Sequence, residues 1–268
     1  MNSFAFAIPV HPPHYHHIYN LINQHEFKGI DIFLIFSTDK DYQKFEYKNK
    51  IIPIILPKDI KTNNIVSFKK LFALQFILVN QGYDCFIVCD SEISLINENF
   101  NVKNVLEKIN NFFENKLIYG GNTNNNTINE IVKSSSNIFY NENDKLILKN
   151  ITNNYNLYSW WSDMPFYKRS HLVDFFSKFN YNNINWFHFD HTIYVHYLLL
   201  YQNFKIVNLT DIISLNWSFE CYYTDDINNL HILKNNRFLF TWVTPKLFNR
   251  FKDFFIENKT LLLYHLDR

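Results

Sequence analysis

Asp90 and Glu92, with Ser91 between them, stand at the end of the apolar run Cys85–Cys89 (CFIVC), where a strand would leave the core. Side chains alternate across an extended chain, so the two carboxylates share one side of the strand end while Ser91 points away. In an open α/β sheet, ligands collect outside the carboxyl ends of the strands. Two carboxylates placed there can hold a hard divalent cation through oxygen, and such a cation usually keeps waters and binds substrate phosphates. The pair therefore reads as a metal-diphosphate site. An isolated acid-x-acid tripeptide is more often a solvated strand end, so the surrounding chain has to supply the context.

That context begins upstream. Val66–Gly82 (VSFKKLFALQFILVNQG) puts Phe68, Leu71, Phe72, Leu74, Phe76, Ile77 and Leu78 close to helical spacing, with Gly82 as a C-terminal stop. Helix, glycine, apolar strand and carboxylates form one unit. Before it, strands are expected at Phe4–Val10, Ile30–Phe36 and Ile51–Leu56, with a helix over His14–His25. This alternation indicates βαβ units and a mainly parallel sheet. Further on, Val102–Glu114 is amphipathic and Leu117–Tyr119 is a short strand closed by Gly120-Gly121. Asn122–Asn126 and Ser134–Asn143 read as a polar, loop-like interval and mark the best internal boundary. Phe189–Leu200 has a helical pattern, Phe204–Leu209 that of a strand, and the apolar run Leu261–Tyr264 precedes a polar tail. No repeat and no long linker separates the halves, so residues 1–268 are expected to form a single domain, with one half at 1–121 and the other at 122–268.

Composition narrows the function classes. At 47% hydrophobic and 19% aromatic residues the chain is expected to fold rather than stay disordered. With 26 basic against 25 acidic residues, no whole-molecule field draws it to nucleic acid or to an anionic membrane. No apolar stretch approaches the ~20 residues of a membrane span, which leaves peripheral membrane contact and oligomeric state open. Cys85, Cys89 and Cys221 are an odd set with no CxxC pair, and Cys85 and Cys89, in the expected central strand, read as reduced core residues of a cytoplasmic protein. The N-terminal MNSFAFAIPVHPP lacks a basic n-region and reads as a first strand. His11, His14, His16 and His17 do not make a zinc site, because two prolines split them and no further ligand has suitable spacing.

Three segments together resemble the nucleotide-sugar half of a GT-A-type glycosyltransferase: Phe4–Val10 with His11-Pro12-Pro13-His14, Ser67-Phe68-Lys69-Lys70 opening the long helix, and Asp90-Ser91-Glu92 in the place of that fold's DxD motif. The resemblance covers residues 1–120 best. It implies an α/β, GT-A-like Rossmann-type fold, a mainly parallel sheet flanked by helices, with an aromatic-rich acceptor-side half. It places Pro9, Val10 and His11 at the nucleoside, Lys69 and Lys70 near the base or diphosphate, and Asp90 and Ser91 at the donor. Asp90 and Glu92 would ligate Mn²⁺ or Mg²⁺, although Glu adds a methylene to the usual Asp. On the acceptor side, Trp160, Trp161 and Asp163 look like a sugar-stacking segment, with core or interface aromatics as the other reading. Asp190, with His191 beside it, resembles the position of the catalytic base in inverting members, and equally an acid stabilising a helix N-terminus. In the tail, His265 resembles a late metal ligand and Arg268 would reach the diphosphate; a merely exposed tail is the alternative.

The resemblance implies a metal-dependent glycosyltransferase of hexosyltransferase type. It would move a sugar from a nucleotide-diphosphate donor, a UDP-sugar by preference, to a carbohydrate or glycolipid acceptor in surface glycan or polysaccharide synthesis. A sugar-phosphate nucleotidyltransferase would need a Gly-rich basic loop after the first strand, where this chain has HPPH and no glycine before Gly29. A non-catalytic carbohydrate-binding protein retaining the fold is the other alternative, and the intact carboxylate pair argues against it.

Overall fold

The computed structural model describes residues 3–24, 27–58, 60, 62–91, 101–122, 126–159, 166–208, 240–243, 253 and 261–264. Its central sheet is built from strands β1 (Phe4–Pro9), β2 (Asp31–Phe36), β3 (Ile52–Ile55), β4 (Cys85–Val88) and β7 (Phe166–Lys168), in the order β3-β2-β1-β4-β7. The first four are parallel: Ala7 of β1 pairs with Phe33 of β2 on one side and Val88 of β4 on the other. Every residue of β1 and β4 is buried, as expected of parallel strands covered on both faces. β7 closes the sheet antiparallel to β4, with Cys85 opposite Lys168.

Helices α1 (Tyr15–Asn23) and α2 (Asp39–Gln43) follow β1 and β2, and α3 (Ile65–Asn80) carries the chain from β3 back across β1 to β4. That return reverses the strand order between β1 and β4. The crevice beyond the carboxyl ends of these two strands is therefore the topological switch point, where open α/β sheets bind ligands.

A second sheet, in the order β6-β5-β8, holds β5 (Leu117–Gly121) between antiparallel β6 (Leu157–Ser159) and parallel β8 (Lys205–Asn208). Gly120 has to be glycine here: a Cβ would meet Ile206 Cγ2 at 2.5 Å and Tyr155 Cδ1 at 2.7 Å. Helix α4 (Val102–Phe113) leads into β5 and buries Val102, Leu106, Ile109 and Phe113 along one stripe. Because β7 comes from the second half of the chain and joins the first-half sheet, the two halves are interleaved. The run Leu261–Tyr264 is strand β10, paired in parallel with β9 (Phe240–Val243), Leu261 opposite Phe240.

The polar interval is corrected in part: α5 (Asn126–Ser136) takes in its Ser134–Ser136 and α6 (Glu142–Asn154) its last two residues, while residues 137–141 between them are non-helical as expected. The Asn141 side chain caps α6 by accepting from the Asn143 N–H at 2.8 Å. Asn and Ser read as loop formers because they compete locally for backbone hydrogen bonds. Here Ser135 and Ser136 are instead buried beside Ile131 and Val132, on a face that packs against α6 and against α8 (Asp190–Tyr201). The first helix is also later and shorter than its pattern, because Pro12–His14 form a 3-10 turn before it. Cys85 and Cys89 are both buried, with burial pushing the Cys85 thiol up to about 12. Among the described residues no helix is long and apolar enough to cross a membrane.

One core group is poorly satisfied. His196 of α8 is completely buried, its ring edge-on to Tyr158 with centroids 5.5 Å apart. Neither ring nitrogen makes a hydrogen bond of normal geometry among the described residues, and the Ser135 backbone offers the ring only a weak partner that offsets part of the burial. Burial lowers the pKa from 6.5 to about 4, so the folded protein binds fewer protons than the unfolded chain between those values. Stability from this group is then complete above pH ~6.5 and falls as pH drops toward ~4, by on the order of 3 kcal/mol. Replacing His196 with Leu should flatten that acid loss and raise the unfolding midpoint at pH 7 by a few degrees, since an unpartnered buried polar group costs about 1–3 kcal/mol. Thermal melts from pH 4 to 8 check this, and a lower midpoint for His196→Leu across the whole range would refute it.

Candidate functional site

Three chain segments meet at the switch point. β1 ends at Pro9, and the Val10 N–H donates to the Ile35 carbonyl at 3.0 Å, holding the exit of β1 against β2. β4 ends one residue before Cys89, whose N–H donates to the Ala7 carbonyl at 3.3 Å, and Asp90 and Ser91 follow directly. The third segment is the N-terminus of α3. Asn64 accepts there from the Ser67 N–H at 3.1 Å and donates through Nδ2 to the carbonyls of Trp186 at 3.3 Å and His188 at 3.0 Å. One side chain thus caps α3 and fastens it to the turn that opens α8.

The first two turns of α3 carry Lys69 and Lys70, both buried in spite of their charge. Lys70 Nζ lies 2.8 Å from Asp90 Oδ1 and 3.8 Å from Asp190 Oδ1. Burial by itself would lower the Lys70 pKa, but Asp90 and Asp190 outweigh it and hold the ammonium above its ordinary range. Asp190 is fully buried; its Oδ2 accepts from the Tyr167 hydroxyl at 2.7 Å, while Oδ1 has no hydrogen-bond partner among the described residues. Burial and then the Asp190 charge raise the Tyr167 pKa well above 10, so the phenol stays a neutral donor. The Asp90 side chain keeps 29% of its surface open, against none for Asp190. The three charges run from solvent inward as carboxylate, ammonium, carboxylate.

Around this row, Lys69 Nζ donates to the Val10 carbonyl at 2.7 Å. Burial lowers its pKa to about 8, partly offset by Asp41. His14 Nδ1 is 3.1 Å from Ser91 Oγ, and the rings of His11 and His14 lie 3.9 Å apart. His191, partly exposed, has its pKa lowered by burial, with Asp190 and Asp90 pulling up and Lys70 pulling down.

Of the residues expected at the site, Pro9, Val10, His11, Lys69, Lys70, Asp90, Ser91, Asp190 and His191 converge on this crevice from β1, α3, β4 and α8. Glu92, Trp160, Trp161, Asp163, His265 and Arg268 lie outside the described residues. Lys69 and Lys70 spend their ammonium groups inside the protein, on the Val10 carbonyl and on the two aspartates. Asp190 is the first residue of α8 after the N-cap Phe189, and its carboxylate accepts from the Tyr167 hydroxyl through Oδ2. Its negative charge still stands at the positive end of the helix dipole. Sequence reasoning did not find Tyr167, Asn64 or the contact of His14 with Ser91. Tyr167 sits in a three-residue strand with no periodicity, and only Asn64, three residues ahead of Ser67, carried a usable capping signal.

A divalent cation fits the donor chemistry of Asp90, an oxygen ligand at a strand end whose carboxylate is partly open to solvent and whose Oδ1 faces Lys70. Among the described residues, no three His, Cys, Asp or Glu side chains form a ligand group. Glu92 and His265, the other expected ligands, lie outside the described residues.

No family model and no curated protein matches this chain. Among solved structures, it is similar to S. aureus TarS 1–349 at 17% identity and a TM-score of 0.29, over 46% of this chain and 36% of that one. It is also similar to a mannose-1-phosphate geranyltransferase from Thermus thermophilus at 9% identity and a TM-score of 0.36, over 79% of this chain and 70% of that one. The chain thus spans about a third of the TarS structure it matches. At these values neither likeness carries functional weight.

Proposed function

We propose that this chain is a metal-dependent glycosyltransferase that binds a nucleotide-diphosphate sugar, a UDP-sugar by preference, at the β1/β4 switch point. The observation that supports it most is Asp90, a partly open carboxylate at the carboxyl end of β4, tied through Lys70 to a second carboxylate on α8. In this reading Asp90 and Glu92 hold Mn²⁺ or Mg²⁺, with His265 completing the set. When bound, the cation would neutralise charge on the departing diphosphate. Ser91, Pro9, Val10 and His11 form the donor wall, with Lys69 fixing the Val10 carbonyl in place. Arg268 belongs at the diphosphate.

On the acceptor side, Trp160 and Trp161 would stack on sugar C–H faces while Asp163 and His191 bind hydroxyls. Asp190 is assigned as the general base of an inverting reaction. In that role Oδ1, buried and facing Lys70, would have to be reached by the acceptor hydroxyl whose proton it takes, while Tyr167 holds Oδ2. The acceptor is a carbohydrate or glycolipid of surface glycan or polysaccharide synthesis. A cytoplasmic setting is part of the proposal, supported by the free, buried Cys85.

Thermal stabilisation across UDP-, GDP-, CMP- and dTDP-sugars, with and without Mn²⁺, tests the reading. A true donor at about 100 times its Kd should add about 2.7 kcal/mol, seen as a rise of several degrees that requires the cation. Hydrolysis or transfer of the same donor should show the same requirement. A hit confined to a CMP-sugar without cation dependence would overturn the reading, and binding without any turnover would favour a non-catalytic carbohydrate-binding protein.

A further inference from the structure

We infer that Lys70 is a positioning residue that couples the charge of Asp190 to the affinity of Asp90 for its divalent cation, so that the acceptor side of the crevice sets how tightly the donor side is held. This rests on the reading of Asp90 as a cation ligand.

Lys70 is buried and cannot turn to solvent, so its ammonium can only divide itself between the two carboxylates that face it. It stands nearer Asp90, at 2.8 Å, than Asp190, at 3.8 Å, and the Asp190 oxygen that faces it has no hydrogen-bond partner among the described residues. That oxygen is an unfilled acceptor within a small side-chain adjustment of a donor. A divalent cation on Asp90 repels the ammonium and competes for the same carboxylate charge. Asp190 then offers Lys70 a place to go, and the cost of bringing two positive groups together at Asp90 falls. With Asp190 neutral that refuge is weaker, Lys70 stays on Asp90, and the cation is opposed. Close charges in a poorly hydrated site interact strongly enough for this to be measured.

Mn²⁺ titrated into the full chain without donor, by calorimetry or by electron paramagnetic resonance of free Mn²⁺, gives the test. Asp190→Asn should weaken Mn²⁺ binding roughly 5- to 20-fold, within the usual range of coupling between sites, although Asp190 is not a ligand. Tyr167→Phe, which disturbs Asp190 without changing its charge, should leave the affinity within about twofold of wild type. In Lys70→Met the cation should bind at least as tightly as in wild type, and adding Asp190→Asn there should lose most of its effect. Should Lys70→Met fail to fold, Lys70→Gln takes its place in the same double-substitution comparison, because Asp190→Asn alone also registers the direct attraction between Asp190 and the cation. Unchanged Mn²⁺ affinity in folded Asp190→Asn overturns the coupling, as does a wild-type chain that binds no Mn²⁺. Cation-dependent sugar transfer with unchanged affinity in Asp190→Asn would leave the proposed function standing while this inference falls; the expected coupling without any transfer would do the reverse.

Discussion

Asp90→Asn is expected to abolish cation-dependent transfer while the chain remains folded. Asn matches Asp in shape but removes the charge that makes the carboxylate an acceptable ligand for a hard cation. The same substitution takes from Lys70 its nearer counter-ion at 2.8 Å, so some stability goes with it. Lys70 keeps Asp190 at 3.8 Å, which confines the loss to about 1–3 kcal/mol rather than the larger penalty of a wholly unpaired buried charge. Turnover with the best donor, Mn²⁺ affinity and circular dichroism on one preparation separate the two effects. Wild-type turnover in the folded variant would show that Asp90 serves only as a structural partner of Lys70.

Asp190→Asn is expected to lower kcat by roughly 10²–10⁴ when measured at saturating donor and Mn²⁺. The amide keeps an oxygen able to accept from Tyr167 but cannot take a proton from an acceptor hydroxyl. Saturating conditions matter because the variant is also expected to hold the cation less tightly. Donor binding, read by thermal shift under those conditions, should survive. A kcat within a few-fold of wild type would remove Asp190 from the chemistry and leave it as the buried partner of Tyr167 and Lys70. A variant that no longer folds would mark the residue as structural in the first place.

The elements that build the site were legible in the chain because their patterns are strong. Phe4–Pro9, Asp31–Phe36 and Cys85–Val88 are nearly continuous apolar runs, which is how strands buried on both faces must read. The α3 segment has apolar residues at helical spacing with Gly82 just beyond its end, and Asp190 opens an apolar helix. Elements of weaker pattern were not legible. α5 and α6 are rich in Asn and Ser, and their helical state depends on the faces they pack against α8 and each other. β7, three residues long, owes its existence to the open edge of β4.

The sequence by itself determined that a carboxylate, Asp90, stands at the end of a central strand, that two lysines open the preceding helix, and that an aspartate begins a later one, because local periodicity sets where each element starts and stops. Only the tertiary structure decided that these charges are neighbours. Lys70 is separated from Asp190 by more than a hundred residues, and nothing in its local pattern distinguishes a buried lysine from a solvated one. What selects the buried state is the company of charges: once β4, α3 and α8 meet at the switch point, each carboxylate offsets the desolvation of the ammonium between them, and none of the three could be buried cheaply without the others.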